Sequence, residues 1–171
     1  PRSSSAASDV YKRQMSNRVM SILMEESPEI EIYSIDEAFL NLKGIREKER
    51  FVKKLREKVL KWTGIPISIG IGATKTLAKI ANAKAKQKEE GIYSLKSKED
   101  IKNILESKDV SSIWGIGNRT TIKLRYYGIK TAINFKNARP NFIKKVFSIN
   151  MLKTQEELKG KKRYDINVNP E

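Results

Sequence analysis

The 171-residue chain contains no cysteine and no histidine, and these two absences remove much of the usual catalytic repertoire. Without thiols there is no disulfide, no thiolate zinc site and no thiol nucleophile. Without imidazole the commonest general base and nitrogen ligand are gone as well. Any chemistry must rest on carboxylates, lysines and hydroxyls. The lack of cysteine fits a reducing cytoplasm. No apolar run approaches the roughly 18 residues of a membrane span, and no secretory signal is visible, so no membrane partner is expected. Acidic residues are few relative to basic ones: 20 Asp and Glu face 35 Lys and Arg, a formal charge of +15 and a pI of about 9.9. Such a surface attracts phosphate polymers, although a solvated lysine-rich helix face produces the same imbalance. The hydrophobic content of 39% is enough for one packed domain or two small ones.

Residues 1–14, "PRSSSAASDVYKRQ", are Ser-rich and aperiodic, and they break sharply from the Lys-, Ile- and Glu-rich remainder. They are expected to be a non-native or disordered leader outside the fold, either a translated adaptor or misjoined frame or a natural tail. Ser16 is the expected N-cap of a short helix through "NRVMSILMEE", ended by Pro28. Two strand-like pieces, "IEIYSI" and "AFLNLKG", follow. Phe51, Val52, Leu55, Val59 and Trp62 then recur at helical spacing. Ile65, Ile67, Ile69 and Ile71 alternate with Pro66, Ser68 and Gly70 as in a strand. A helix with the small-residue face Leu77, Ala78, Ala81 and Ala85 comes next, then a strand in "GIYSL" and a helix capped by Ser97 with Asp100. After about Ser107 the strand signals stop, and short helices with Pro140 in a first turn are joined by glycine turns. The pattern predicts an α+β fold over 15–107, a small all-helical unit over 108–160 and a linker over 161–171.

Three motifs carry chemistry. In "EIYSIDEAFLNL" the adjacent carboxylates Asp36 and Glu37 interrupt an otherwise apolar run. A buried carboxylate needs a compensating partner, such as a divalent cation; a solvated hairpin turn removes the need. Adjacent strand side chains point to opposite faces, so both groups reach one metal only where the backbone turns or bulges, as a hairpin allows. "GIGATKTLAKIANAKAK" joins a glycine turn to a helix bearing Lys75, Lys79, Lys84 and Lys86. It suggests phosphate held at a helix N-terminus and beyond, but it lacks P-loop spacing, and an ordinary turn with a solvated lysine face is the alternative. "WGIGNRTTIKLRYYGIKT" has the pattern of a helix-hairpin-helix with Ile122 and Leu124 facing inward. Gly115 and Gly117 let the backbone approach a DNA phosphate, with Asn118, Arg119 and Lys123 adding polar and basic groups. A purely structural hairpin would have the same residues.

In this order the motifs resemble the Y-family of translesion DNA polymerases, and within it the UmuC-like branch. The resemblance runs from about Met15 onward and is carried by "MSNRVMSIL", "EIYSIDEAFLNLKG", "GIGATKTLAKIANAKAK" and "IWGIGNRTTIKL". It implies an incomplete palm, a ferredoxin-like sheet with helices, over 15–107, and a thumb with a helix-hairpin-helix over 108–160. It further implies that Asp36 and Glu37 are two of three catalytic carboxylates holding Mg2+ in a two-metal site, and that Lys86 contacts the incoming deoxynucleoside triphosphate. Gly115, Ile116, Gly117, Asn118, Arg119 and Lys123 would grip the duplex backbone. The implied activity is template-directed translesion synthesis on primer-template DNA, damaged DNA included, in DNA repair and the SOS response. A UmuD-like protein, a recombinase and a sliding clamp are implied partners of the full-length parent. The family's first palm strand, with its third aspartate and an aromatic steric gate, has no counterpart before Met15. The little finger that the resemblance places after residue 171 is missing too, so the chain is expected to be a fragment, and with only two of the three carboxylates it is expected to be inactive alone. A reading from another class stays open: a non-catalytic helix-hairpin-helix module that binds DNA, with Asp36 and Glu37 merely structural.

Overall fold

The computed structural model describes residues 2–27 and 29–168. Two compact units divide the chain: one runs through Ser68 and takes back the segment from Asp165, and the other is Ile69–Tyr164. The first unit holds α1 (Arg2–Glu26), β1 (Ile30–Ser34), β2 (Glu37–Leu40) and α2 (Lys48–Thr63). The second holds β3 (Ile69–Ile71), α3 (Lys75–Ala85), β4 (Ile92–Ser94), α4 (Lys98–Glu106) and a 3-10 turn (Val110–Ser112), followed by α5 (Asn118–Tyr126), α6 (Ala132–Asn137), α7 (Pro140–Val146) and α8 (Ile149–Leu158). The mixed helix and strand order agrees with the sequence pattern, and among the described residues every named element after α4 is helical. The strands form two small ladders, antiparallel β1–β2 and parallel β3–β4. Ile65 and Ile67 lie ahead of β3 and pack on the first unit's core without joining a ladder.

The first helix differs from expectation. It is continuous from Arg2, so Ser16 lies inside it, and the Ser16 hydroxyl donates to the Ile35 carbonyl instead of capping. Residues 6–14, expected outside the fold, are helical with exposed side chains. No Gly or Pro interrupts positions 2–26, and once a packed turn is nucleated each further residue adds a hydrogen bond at little entropic cost. The packed turns are those bearing Val19, Met20 and Leu23, which bury against Ile30 and against Leu55 and Val59 of α2. Pro28, the expected terminator, and the linker's last residues, 169–171, lie outside the described residues. Lys58 of α2 pairs with Glu26 at 2.5 Å, and that hydrogen bond raises the ammonium's pKa above its ordinary value. Trp62 falls off the buried stripe and is exposed. Gly64, in the left-handed region at φ +74, ends α2 by returning its N–H to the Leu60 carbonyl at 2.8 Å.

In the second unit α3 lies directly on β3. A Cβ on Gly70 would stand 2.1 Å from the Asn82 nitrogen, and one on Gly72 would stand 2.6 Å from the Ala78 nitrogen. The glycines therefore set the distance between helix and strand. Below them one apolar core runs from Leu77 and Ile80 through Leu105, Val110 and Phe135 to Ile143 and Leu158, without a break at Ser107. Ser97 caps α4 by accepting from the Asp100 N–H at 3.0 Å. The Asp100 carboxylate accepts from the Tyr93 hydroxyl at 2.7 Å, and this bond holds the phenol up at about 12. In α5 the inward residues are Thr121 and Leu124; Ile122, expected to face inward, is 68% exposed. A helix advances 100° per residue, so positions 122 and 124 cannot share one narrow buried face.

Candidate functional site

Asp36 and Glu37 sit at the tip of the β1–β2 hairpin. Ser34 pairs with Glu37, leaving Ile35 and Asp36 as a two-residue turn, and the register slips between Ile32 and Ser34. This bulge and turn are the backbone irregularity that two adjacent carboxylates need if both are to reach one ligand. Asp36 is exposed and accepts from the Ser34 hydroxyl at 2.8 Å; Glu37 is half-buried at the start of β2. The hairpin is anchored on one face by Ala38 and Leu40 packing on the first unit's core. Tyr33 and Phe39 meet edge to face, with ring centroids 5.8 Å apart. Carboxylate oxygens suit a hard divalent cation, so the donor chemistry fits Mg2+. Among the described residues no group of three or more acidic side chains converges on one point.

The N-terminus of α3, which the sequence offered as a phosphate site, is filled by the protein itself. Thr74 caps it by accepting from the Leu77 N–H at 3.2 Å and donates its own hydroxyl to the Glu157 carbonyl at 2.9 Å. The fully buried Glu157 carboxylate then accepts from the Thr76 N–H at 3.1 Å and the Thr76 hydroxyl at 3.0 Å. Its other oxygen accepts from the N–H groups of Arg163 and Tyr164 at 2.7 and 3.2 Å. A carboxylate at a helix N-terminus is the internal equivalent of a bound anion. Glu157 escaped the sequence reading because a glutamate in "TQEELKG" has the local signature of a solvated helix face. Lys86 closes α3 at the opposite end, exposed, with its N–H returned to the Asn82 carbonyl at 3.0 Å.

The second Gly-Ile-Gly turn is open. Gly115 adopts φ +90, Ile116 turns inward with its N–H on the Ile113 carbonyl at 3.0 Å, and Gly117 precedes α5 with no side-chain cap. A Cβ on Gly117 would meet nothing within 4 Å. The first-turn amides of α5 are thus approachable, with Asn118 and Arg119 exposed beside them. The element ahead of the turn is the 3-10 turn, not an α-helix. Lys123 extends its ammonium to the Val146 carbonyl at 2.5 Å and over the Phe147 ring at 4.8 Å. Asp109 braces the approach to the turn. Hydrogen bonds from Ser111, and then one from Arg125, hold its carboxyl down at about 2. Asp36 and Glu37 therefore share one hairpin of the first unit, whereas Gly115–Arg119 share one turn of the second and Lys86 stands apart at the end of α3. No helix among the described residues is long and apolar enough to cross a membrane.

Residues 7–83 match the family model described as IMS, the impB/mucB/samB family. That match begins ahead of Met15. The chain is 42% identical over 153 residues to the protein ImpB of Salmonella typhimurium, covering 85% of this chain and 36% of that one. It is 40% identical over 152 residues to the protein UmuC of Salmonella typhimurium strain LT2, with coverage of 85% and 36%. Among solved structures it is similar to an insertion ternary complex of Dbh DNA polymerase, with a TM-score of 0.69, 26% identity and coverage of 88% of this chain and 45% of that one. The chain spans about a third of the length of the curated relatives it matches.

Proposed function

The chain belongs to the impB/mucB/samB family of Y-family DNA polymerases, and on that premise we propose that it is a portion of a translesion DNA polymerase, in which Asp36 and Glu37 contribute to the nucleotidyl-transfer site. Residues 15–107 are assigned to a palm of ferredoxin-like type, 108–160 to a thumb and 161–171 to the linker that follows; of the expected non-native or disordered leader 1–14, residues 7–14 fall inside the family match. The observation that carries the reading is the acidic pair on a bulged hairpin turn, inside the segment that matches the family. Mg2+, when bound there, would activate the attacking hydroxyl and stabilise the leaving phosphate. The two carboxylates would supply hard oxygen ligands on a backbone fixed by the ladder behind them, and Lys86 would meet the triphosphate of the incoming nucleotide.

The Gly115–Gly117 turn with Asn118, Arg119 and Lys123 would act as the helix-hairpin-helix grip on the primer-template backbone. It would donate amides to phosphate without reading bases, and so it would accept damaged and undamaged duplexes alike. UmuD-like, recombinase and sliding-clamp partners would belong to the full-length parent.

Primer extension tests the reading. The 171 residues alone are expected not to extend a primer, because two carboxylates supply only part of a two-metal cage. Joined to the remaining segments of a UmuC-type relative, they are expected to give Mg2+-dependent extension. Asp36→Ala and Glu37→Ala should each abolish that extension while leaving DNA binding largely intact. Full extension in both variants would return the pair to a solvated turn, and DNA binding without extension in the joined protein would favour a non-catalytic DNA-binding module.

A further inference from the structure

No Asp or Glu lies between Asp109 and Glu156, while nine Lys and Arg do. The helices α5, α6 and α7 all fall in this stretch, so their outer surfaces carry charge of one sign. The outer face of α5 also exposes large apolar side chains at helical spacing: Ile122 is 68% exposed and Tyr126, one turn further on, is 82% exposed. Arg119 and Lys123 occupy the same face at i−7 and i−3 from Tyr126. Ile122 and Tyr126, one turn apart, thus form an apolar pair rimmed by positive charge, the kind of surface that marks an interaction site.

The Tyr126 ring is also held in place. It meets Tyr127 edge to face at 5.1 Å between centroids; Tyr127 meets Phe142 of α7 at 5.1 Å and Phe147 at 6.2 Å. Phe142 and Phe147 pack in turn against the second unit's core. An exposed ring at the end of a chain of aromatic contacts is a fixed platform, not a loose side chain. Lys145 of α7 is exposed and three residues from Phe142, hence on neighbouring helix surface.

We propose that the outer face of α5 around Tyr126 is a binding site for single-stranded nucleic acid, with a base stacked on the Tyr126 ring and the flanking phosphates on Arg119 and Lys145. A π-face beside unopposed positive charge is the combination that single strands require, and every base supplies the partner face. A duplex does not, because its bases are already stacked on one another. An acidic peptide would satisfy the charge but not the flat, exposed ring. The Tyr126 ring stands at the far end of α5 from the Gly115–Gly117 turn, so the site shares Arg119 with the duplex grip proposed there and extends beyond it.

The test uses the full 171-residue chain and three probes: a dT oligomer, an abasic oligomer of equal length and phosphate count, and a duplex. The wild-type protein should bind the dT oligomer more tightly than the abasic one. Tyr126→Ala should weaken dT binding by about tenfold, within the range for loss of one stacked base, and leave the abasic and duplex affinities unchanged. Tyr126→Trp should restore dT binding. Because Tyr126 is exposed, neither change threatens folding, and thermal unfolding of both variants checks this. Equal affinity for dT and abasic oligomers, or no loss in Tyr126→Ala, overturns the proposal. So does a poly-glutamate peptide that binds with the same dependence on Tyr126. Loss of duplex binding in the wild type with the dT pattern intact would count against the backbone grip alone.

Discussion

Gly70-Ile71-Gly72 and Gly115-Ile116-Gly117 are identical tripeptides, and each delivers the chain into a helix within a few residues. Their glycines answer different demands. In the first, the α3 backbone occupies the space where side chains would stand, so Gly70 and Gly72 are required by packing. In the second, space is free and only Gly115 is held to glycine, by its φ of +90. The helix starts differ as well. The first turn of α3 is closed by a buried carboxylate from within the chain, whereas the first turn of α5 has no side-chain cap and faces outward. The same local sequence thus makes an interior joint in one place and an approachable amide cluster in the other, and only the second is free to take an anion from outside.

The largest expected effect tests the packing half of this contrast. Gly70→Val places a branched side chain where the α3 backbone lies, and a helix backbone cannot step aside as a side-chain tip can. We expect destabilisation of at least about 3 kcal/mol, at or beyond the usual range for overpacking, read by urea or thermal unfolding. Near-native stability would mean that α3 can move off β3.

The next effect concerns the closed helix start. Glu157→Ala leaves the Thr76 N–H and hydroxyl and the Arg163 and Tyr164 N–H groups without their acceptor, and each buried donor left unmade costs about 1–3 kcal/mol. A total loss of about 3 kcal/mol is expected after local relaxation, and Glu157→Gln should recover part of it. If unfolding midpoints of both variants match the wild type, water already serves those donors.

The smallest effect on stability, and the sharpest for the comparison, separates the two glycines of the second triplet. Gly115→Ala forces a side chain into the left-handed region and should cost about 1 kcal/mol. Gly117→Ala should be close to neutral, because φ is −87 there and the Cβ site is empty. Gly117→Val, equally folded, should nevertheless weaken duplex binding to a similar degree on unrelated sequences, since a branched side chain blocks the approach of a phosphate to the α5 amides. Loss on one sequence only, or no loss, removes the turn from the interface.

Much of this was legible from local sequence. The helical stripe of Val52, Leu55 and Val59, the cap at Ser97, Pro140 at the head of α7 and the turn around Asp36 are each decided within a few residues, where periodicity and capping chemistry act. What escaped depends on distant partners or on helix continuity. Ser16 looks like a cap only if the preceding residues are not helical, and nothing in their composition forbids a helix that packed turns downstream can extend. Ile122 looks like core by type, but the phase of α5 is set by Thr121 and Leu124. Lys123 reads as a free cation until Val146 and Phe147 are brought to it. Glu157 reads as surface until α3 is laid against α8.

Glu157 also sets an order of events during synthesis. The carboxylate that completes the first turn of α3 lies 81 residues downstream of Thr76. At ribosomal rates of about 5–20 residues per second, that separation means a delay of roughly 4–16 s between the appearance of the amide and of its acceptor. For that interval the nascent α3 start has only Thr74 and water, and its apolar face waits for α4 to α8. The segment through Tyr164 must emerge before the second unit can close, so a transcript truncated just ahead of Glu157 would yield a chain with most of its helices and none of the bonds that join the ends.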